Sequence, residues 1–314
     1  MKPVVTVIVP VYNEEQGLPL LYDRLYPALD ALQRPYEILF IDDGSRDGSA
    51  AVLRAAVERR RDVTRVLLLA FNVGQHLAIL AGFEHARGEY VITLDADLQN
   101  PPEEIGRLVA ALEAGADYVG TVRQQRQDLW WRRSASRLLN RVRESTTQIH
   151  ITDQGCMLRG YARPVVDAVV SCNEASTFVP ALAYTFSRRP VEIPVGHEER
   201  AVGTTKYSFY RLVRLNFDLM TSFSLVPLQV VSMAGVVISL LSLLFVAFLA
   251  IRRIVYGPEA EGLFTLFGIA YFLIGVLLFG LGVVGEYVGR IYLQVRQRPR
   301  YLVAEALGDG KPAP

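Results

Sequence analysis

The chain has 314 residues, enough for one large or two ordinary domains, and its net charge of +1 gives no electrostatic reason to expect a nucleic-acid partner. Hydrophobic residues make up 51% and mean hydropathy is +0.23, high for a water-soluble protein, and the excess is concentrated in the last third. Two cysteines, Cys156 and Cys172, are too few for a disulfide framework; a reduced compartment fits, with a single bridge the alternative. Met1 to Pro10 runs straight into a strand-like stretch without separate charged, apolar and cleavage regions, and no signal peptide is expected.

Val4 to Val9 is a β-branched run of the length of a buried parallel strand, ending at Pro10-Val11-Tyr12-Asn13-Glu14. Leu18, Leu21, Leu25, Leu29 and Leu32 then recur at helical spacing over Gln16 to Leu32. A second strand, Tyr36 to Ile41, ends at Asp42-Asp43-Gly44-Ser45; a helix is expected over Asp47 to Ala56 and a third strand over Val63 to Ala70. Phe71 to Gly74 reads as a turn, His76 to Ala86 as a helix and Tyr90 to Leu94 as a fourth strand, which ends at Asp95-Ala96-Asp97-Leu98-Gln99. The alternation predicts an α/β fold, a mostly parallel sheet flanked by helices with right-handed crossovers.

Ligands of such sheets bind beyond the carboxyl ends of the strands. The polar clusters Asn13-Glu14, Asp42-Asp43, Asn72 and Asp95-x-Asp97 all fall at those ends, and that placement groups them into one expected site. Any one cluster alone is weak evidence, because Asp, Asn and Gly favour turns. If the extended geometry continues through Asp97, Asp95 and Asp97 point to the same side of the strand. Two aligned carboxylates repel unless a cation sits between them, and a hard divalent metal, Mg or Mn, suits oxygen ligands. A solvated acidic loop is the plain alternative for an isolated D-x-D. Neither G-x-G-x-x-G nor G-x-x-x-x-G-K-[ST] occurs, so the phosphates of a bound nucleotide would be neutralised by a metal together with Arg or Lys.

Ala116 to Val122 predicts a further strand. It leads into a basic stretch with Arg123, Arg126, Arg132, Arg133, Arg137, Arg141 and Arg143 around Trp130 and Trp131. Arg mixed with Trp fits an amphipathic helix at a membrane surface, reading lipid phosphate; a solvated Arg-rich helix and an RNA-binding strip are the alternatives. Val191 to Val195 predicts a strand, followed by Arg200, Gly203 and Lys206, a turn suited to closing over a diphosphate and stabilising the leaving group, or to contacting lipid headgroups. His76, His85, His150 and His197 have no metal-ligand spacing and read as structural or solvated.

Ser208 to Leu219 is amphipathic, and Val226 to Ile251 and Leu263 to Gly285 carry no charge, so an interfacial segment and two transmembrane helices are expected. Basic residues flank the outer ends of this pair, which places the catalytic domain in the cytoplasm. Glu286 is a functional candidate by depth, or a salt-bridge partner of Arg290 four residues on. The expected domains are 1–205, catalytic; 206–225, juxtamembrane; 226–285, two spans with a short periplasmic loop; and 286–314, a cytosolic tail with little pattern.

VIVPVYNE, IDDGSRDGS, NVGQHLAILAGF and LDADLQNPPE resemble the nucleotide-sugar-binding half of family-two glycosyltransferases, of the GT-A fold, over roughly residues 4–200. The resemblance implies that Pro10, Tyr12, Glu14, Asp42 and Asp43 hold the nucleoside, joined at the strand ends by Asn72 and Asp95, and that Asp95, Asp97 and Gln99 meet the metal. It implies acceptor-phosphate contacts from Arg123 and Arg133, with Arg126 a lesser candidate. Asp153 and Arg159 match the family's aspartate and arginine, while Cys156-Met157 departs from the usual sequence between them. Asp153 is therefore a base, an acceptor-orienting group or structural, since a phosphate acceptor is already ionised. Asp97, Asp153, Arg200 and Lys206 form the expected catalytic set.

GTVRQQRQDLWWRR, DQGCMLRGYAR, STFVPALA, VEIPV and KYSF extend the resemblance to polyprenyl-phosphate members over nearly the whole chain. It implies inverting transfer from a UDP-sugar to undecaprenyl phosphate at the bacterial inner membrane by a homo-oligomer, a tetramer by resemblance. The sugar implied is 4-deoxy-4-formamido-L-arabinose, in lipid A modification and polymyxin resistance; glucosyl or mannosyl transfer is the alternative. A processive synthase would need a Q-x-x-R-W motif and more helices.

Overall fold

In the computed structural model, residues 2–123, 151–153, 155–172, 178–196, 198, 225–257, 263–296 and 298–308 are described. The β-branched runs form the middle of an eight-stranded sheet: β1 (Val5–Val11), β2 (Tyr36–Asp42), β3 (Thr64–Leu69), β4 (Tyr90–Thr93), β5 (Tyr118–Arg123), β6 (Arg159–Ala162), β7 (Pro190–Val195) and β8 (Val303–Leu307). Their spatial order is β7-β5-β6-β4-β1-β2-β3-β8. β1 pairs in parallel with β2 and β4, β2 with β3, and β5 with β7. β6 runs antiparallel to β4 and β5, and β8 antiparallel to β3. The order 3-2-1-4 reverses between β1 and β4, the switch point at which open α/β sheets bind ligands.

Helices α1 (Gly17–Asp30), α2 (Ser49–Arg59), α3 (Gln75–His85), α4 (Ile105–Glu113), α5 (Arg163–Ser171) and α6 (Val179–Phe186) flank this sheet. The leucine spacing of α1 does what it predicts. Leu18, Leu21, Leu25 and Leu29 are fully buried in one core with Val7, Val9, Ile38 and Phe40, each worth roughly 1.5–3 kcal/mol of transfer free energy. On α3, Ala78, Ile79, Leu80, Ala81 and Phe83 are buried, and a Cβ at Gly82 would lie 2.5 Å from Ile8 Cγ2. That close approach to β1 fixes where α3 begins, beside the switch point.

By spatial grouping the chain forms two units: Met1–Ala135, Ile149–Tyr207 and Arg298–Pro314 in one, Ser136–Gln148 and Ser208–Gln297 in the other. The second contains α7 (Val226–Tyr256) and α8 (Leu263–Val295), whose apolar side chains, among them Met233, Leu240, Phe248, Phe272 and Leu277, are exposed. A Cβ at Gly280 of α8 would meet Val231 Cγ1 of α7 at 3.3 Å, so the two helices touch there. Among the described residues, Ile269–Val295 is long and apolar enough to cross a membrane, and the apolar stretch of α7, Leu228–Ile238, is shorter. Glu286 pairs with Arg290 at 2.8 Å, the local salt bridge that their spacing suggests.

Two expectations change. The helix expected to end at Gly285 continues to Val295, because no proline interrupts residues 286–295 and Tyr287, Val288, Ile291, Tyr292 and Leu293 carry it past Gly289. The tail is not patternless: Val303–Leu307 joins the catalytic sheet as β8.

Candidate active site

The loops at the carboxyl ends of β1 and β2 are joined by side-chain caps. Asn13 N donates to Ser45 Oγ at 2.9 Å, Arg46 N to Asn13 Oδ1 at 2.8 Å, Glu14 N to Ser49 Oγ at 2.9 Å and Glu15 N to Asp47 Oδ2 at 3.2 Å. Asn13 takes a left-handed φ of 56°, which Asn tolerates better than most residues. Pro10 lies opposite Ile41 of β2 in register, beyond Thr93, where β4 stops following β1. Ile8 O accepts from Leu94 N at 3.0 Å, so the Pro10 edge faces the space into which β4 no longer extends, and its missing N–H removes no ladder bond. Tyr12 is exposed on this rim.

Asp42 and Asp43 are both buried, and burial pushes both carboxyls above the usual carboxylate range. Their partners differ. Asp43 Oδ1 accepts from Val73 N at 2.7 Å, while Oδ2 accepts from Gly74 N and Asn72 Nδ2, each at 2.9 Å. Asp43 and Asn72 are thus brought together, with the aspartate gripping the loop after β3. Gly44, at φ 66°, allows this: a Cβ there would lie 2.7 Å from Asn72 N and from Phe71 C. Asp42 Oδ2 accepts from Ser45 N at 3.3 Å, but its buried Oδ1 finds no hydrogen-bond donor among the described residues.

The D-x-D departs from the extended geometry. β4 ends at Thr93 and residues 96–100 turn and bend, with Leu98 at φ 61° and Asp97 Oδ1 accepting from Gln99 N at 3.1 Å. The short aspartate side chain competes for the backbone and closes a turn where a strand would need ladder partners. Asp95 and Asp97 nevertheless feel each other. Burial first, and then the Asp97 charge, push the Asp95 carboxyl up to about 7. Gln75, first residue of α3, donates Nε2–H to Asp95 Oδ1 at 2.5 Å and ties the β3 loop to the β4 loop. A Cβ at Gly17 would lie 3.1 Å from Glu14 Oε2 and 3.8 Å from Ala96 O, so Glu14 stands beside the same turn. Gln99 O accepts from Glu198 N at 3.0 Å.

Arg123 and Asp153, given separate roles by resemblance, are paired. Nε reaches Oδ2 at 2.7 Å and Nη2 reaches Oδ1 at 2.9 Å, a bidentate fork with side chains 16% and 6% exposed. Gly155 leaves room for the fork, since a Cβ there would lie 2.8 Å from Arg123 Nη2. Arg159 is fully buried and binds the chain to itself: Nε donates to Cys156 O at 2.9 Å, Nη2 to Asp153 O at 2.6 Å, and Nη1 to the Tyr118 hydroxyl.

Several contributors were not legible as site residues. Gln75 is one. Cys156 is another: its thiol lies 2.8 Å from Thr121 Oγ1 and 3.2 Å from Asn100 Oδ1, linking the Asp153 segment to the D-x-D turn, and burial holds the thiol above its usual range. His76 packs against Phe178, with ring centroids 4.8 Å apart, and burial with the nearby Arg159 charge lowers it to about 4. This fits the structural role expected from its spacing. Arg126, Arg133, Arg200, Lys206, Trp130, Trp131, His150 and His197 lie outside the described residues. Among the described residues no group of three or more His, Cys, Asp or Glu side chains forms a ready metal cluster.

The fold and its rim define an α/β protein with an acidic rim at the β1/β4 switch point. Residues 6–170 match the model of Glycosyl transferase family 2, and the chain belongs to that family; it is a glycosyltransferase. It is 49% identical over 308 residues to the undecaprenyl-phosphate 4-deoxy-4-formamido-L-arabinose transferase of Enterobacter sp. (strain 638), covering 98% of this chain and 94% of the relative. It is 52% identical over 301 residues to the protein of the same name from Klebsiella pneumoniae subsp. pneumoniae, covering 95% of this chain and 92% of that one. Among solved structures, glucosyl-3-phosphoglycerate synthase from Mycobacterium tuberculosis in complex with Mn2+ and UDP-glucose aligns with a TM-score of 0.49 at 14% identity, over 70% of this chain and 77% of that one.

Proposed function

We propose that this chain transfers 4-deoxy-4-formamido-L-arabinose from a UDP donor to undecaprenyl phosphate, with inversion, in lipid A modification and polymyxin resistance. The near-full-length identity to the two relatives of that name supports the acceptor and the sugar. One observation carries the chemistry. Asn13–Ser45, Asp43 with Val73 and Gly74, and Gln75–Asp95 tie the loops of four strands into one acidic rim at the switch point.

In this reading Asp42 Oδ1, buried without a donor, accepts an N–H of the nucleobase, since an unmet buried acceptor otherwise costs roughly 1–3 kcal/mol. Asp43 acts through the loop it grips, and Pro10, Tyr12 and Glu14 line the same opening. The donor set fits a divalent cation, Mg or Mn. Burial and the Asp97 charge raise the Asp95 carboxyl to about 7, a shift that a dication would reverse. Asp95 and Asp97, with Gln99 adjoining, would hold it, and when bound it supplies the positive charge that the diphosphate needs. Arg200 and Lys206 are assigned to the leaving UDP, and Arg126 and Arg133 to the acceptor phosphate.

Arg123 uses Nε and Nη2 on Asp153, and in this reading Nη1, which has no hydrogen-bond partner among the described residues, is turned to a lipid phosphate. Asp153, with both oxygens accepting from a guanidinium, is a poor proton acceptor and is assigned to orienting Arg123. The acceptor phosphate is ionised at neutral pH, so direct attack on the anomeric carbon needs no base. A single displacement inverts that carbon.

Parity supports a reading with two membrane crossings. The chain leaves the catalytic unit before α7 and re-enters its sheet as β8 after α8, so the number of crossings is even. With α8 one crossing, α7 supplies the other, and the basic flanks favour a cytoplasmic catalytic domain in the inner membrane. A homo-oligomer is part of the same reading. Purified protein incubated with undecaprenyl phosphate and a panel of UDP-sugars tests it: turnover of the formamido-arabinose donor is expected. Turnover with UDP-glucose but not that donor refutes the sugar assignment.

A further inference from the structure

The segment that follows the last membrane-type helix is built into the catalytic sheet at one particular place. β8 covers β3, which would otherwise be an open edge, in the register Val66–Leu307, Leu67–Ala306, Leu68–Glu305 and Leu69–Val303, with an irregularity between Leu68 and Leu69. Past that irregularity the pairing adds one more rung: Ala70 N donates to Leu302 O at 2.9 Å. Ala70 immediately precedes Phe71-Asn72-Val73-Gly74, the loop whose two amides bind the Asp43 carboxylate.

Side chains of the same segment hold three helices. Arg54 Nη2 of α2 donates to Glu305 Oε2 at 2.6 Å, the Tyr301 hydroxyl donates to Glu84 of α3, and Arg300 Nη2 donates to the Cys172 carbonyl at the end of α5. α3 is the helix whose first residue, Gln75, reaches Asp95. The other end of the strand is fixed as well: Gly308 has φ 84°, and a Cβ there would lie 2.5 Å from Thr64 O. The segment therefore borders the 71–74 loop directly at Ala70, and the adjoining Tyr301 holds α3, the helix that follows the loop, near its far end at Glu84.

We propose that residues 300–307 are a positioning element of the donor site, fixing the 71–74 loop so that Asp43 and Asp95 meet the nucleotide in one arrangement. This rests on the donor-site reading above. The segment is not a catalytic element, because it acts through the loop. A mere edge cover would end with β3 at Leu69, whereas here the extra rung carries the pairing to Ala70, beside the loop, and the neighbouring Tyr301 anchors the segment to α3.

The test uses full-length protein in detergent, the double variant Arg300→Met/Tyr301→Phe, and a deletion of residues 300–314. Hydrogen exchange of the Val73 and Gly74 amides is followed beside that of β1 and β2, together with KM for donor and acceptor. In the double variant those two amides are expected to exchange about tenfold faster with β1 and β2 unchanged, and donor KM to rise about fivefold while acceptor KM stays within about twofold. The deletion is expected to do the same more strongly; if it fails to fold, the double variant decides. Unchanged amides, or uniform loosening across β1, β2 and the loop, overturns the proposal. Faster loop exchange with an unaltered donor KM upholds the positioning link and overturns the donor-site reading instead.

Discussion

Removing one partner of the Arg123–Asp153 pair is the sharpest structural perturbation available at this site. The fork is bidentate at 2.7 and 2.9 Å, and the side chains are 16% and 6% exposed, so neither charge can turn to water when its partner is lost. Arg123→Met leaves a buried carboxylate without its counter-charge, with the Gly155 amide still donating to it at 3.1 Å. Breaking a buried pair from one side costs about 3–5 kcal/mol, whereas replacing both partners with apolar groups is often close to neutral. Each single variant is therefore expected to lose about 3 kcal/mol and the double variant Arg123→Met/Asp153→Leu distinctly less, giving a coupling energy of about 2 kcal/mol or more. Denaturant unfolding of the detergent-solubilised protein, read by tryptophan fluorescence, measures all four corners of the cycle. Activity separates the roles of Asp153. As an orienting group, Asp153→Asn lowers turnover without moving the pH profile, while loss of a base removes the acid limb. A coupling energy near zero, with singles and double additive, would refute the buried-pair argument.

Other expectations follow from neighbouring residues. The Asp95 carboxyl stands at about 7 against an ordinary 3.8, so between those values the folded metal-free chain holds a proton that the unfolded chain has lost. Its contribution to stability is present below about 4 and is lost as pH rises through about 7. Thermal melts of chelated protein should fall across that window and be restored by Mn2+ at pH 8, and Mn2+ affinity should drop by roughly tenfold per pH unit below 7; flat responses contradict the assignment. Gly44→Ala forces a Cβ against the backbone of Phe71 and Asn72 at a positive φ. It should cost about 2 kcal/mol and raise donor KM, with no effect on either if that contact is unimportant. Cys156→Ala removes the link between Thr121 and Asn100 at a cost of about 1–2 kcal/mol, and Cys156→Ser should retain most of it; equal losses would show that packing rather than the polar link matters.

Much of this architecture is visible in the residues. The β-branched run Val4 to Val9 and the largely apolar Tyr36 to Ile41 leave no polar face, so they mark strands buried on both sides, and the polar clusters that end them locate the rim. Geometry set by contacts distant in sequence was not legible. β6 is a four-residue strand that opens with a buried arginine, Arg159, whose partners are carbonyls that no pattern announces. β8 reads Val-Ala-Glu-Ala-Leu, too short and too mild to stand out, and is a strand because β3 offers it an edge. The turn at Asp97 replaced the expected extension because one side-chain hydrogen bond outweighed strand continuation, a local competition that periodicity cannot register. Arg123 and Asp153 each carried a plausible partner of their own, and only the fold shows that each is the other's.

The central claim is that the acidic rim holds an anionic donor through a shared dication. Titrating UDP into full-length protein, once with Mn2+ and once after exhaustive chelation, with Asp97→Asn alongside, tests it most directly. Chelation and Asp97→Asn are each expected to weaken UDP binding by about a hundredfold, because carboxylates and diphosphate repel when nothing cationic lies between them. Undiminished UDP affinity in the chelated protein would contradict the account.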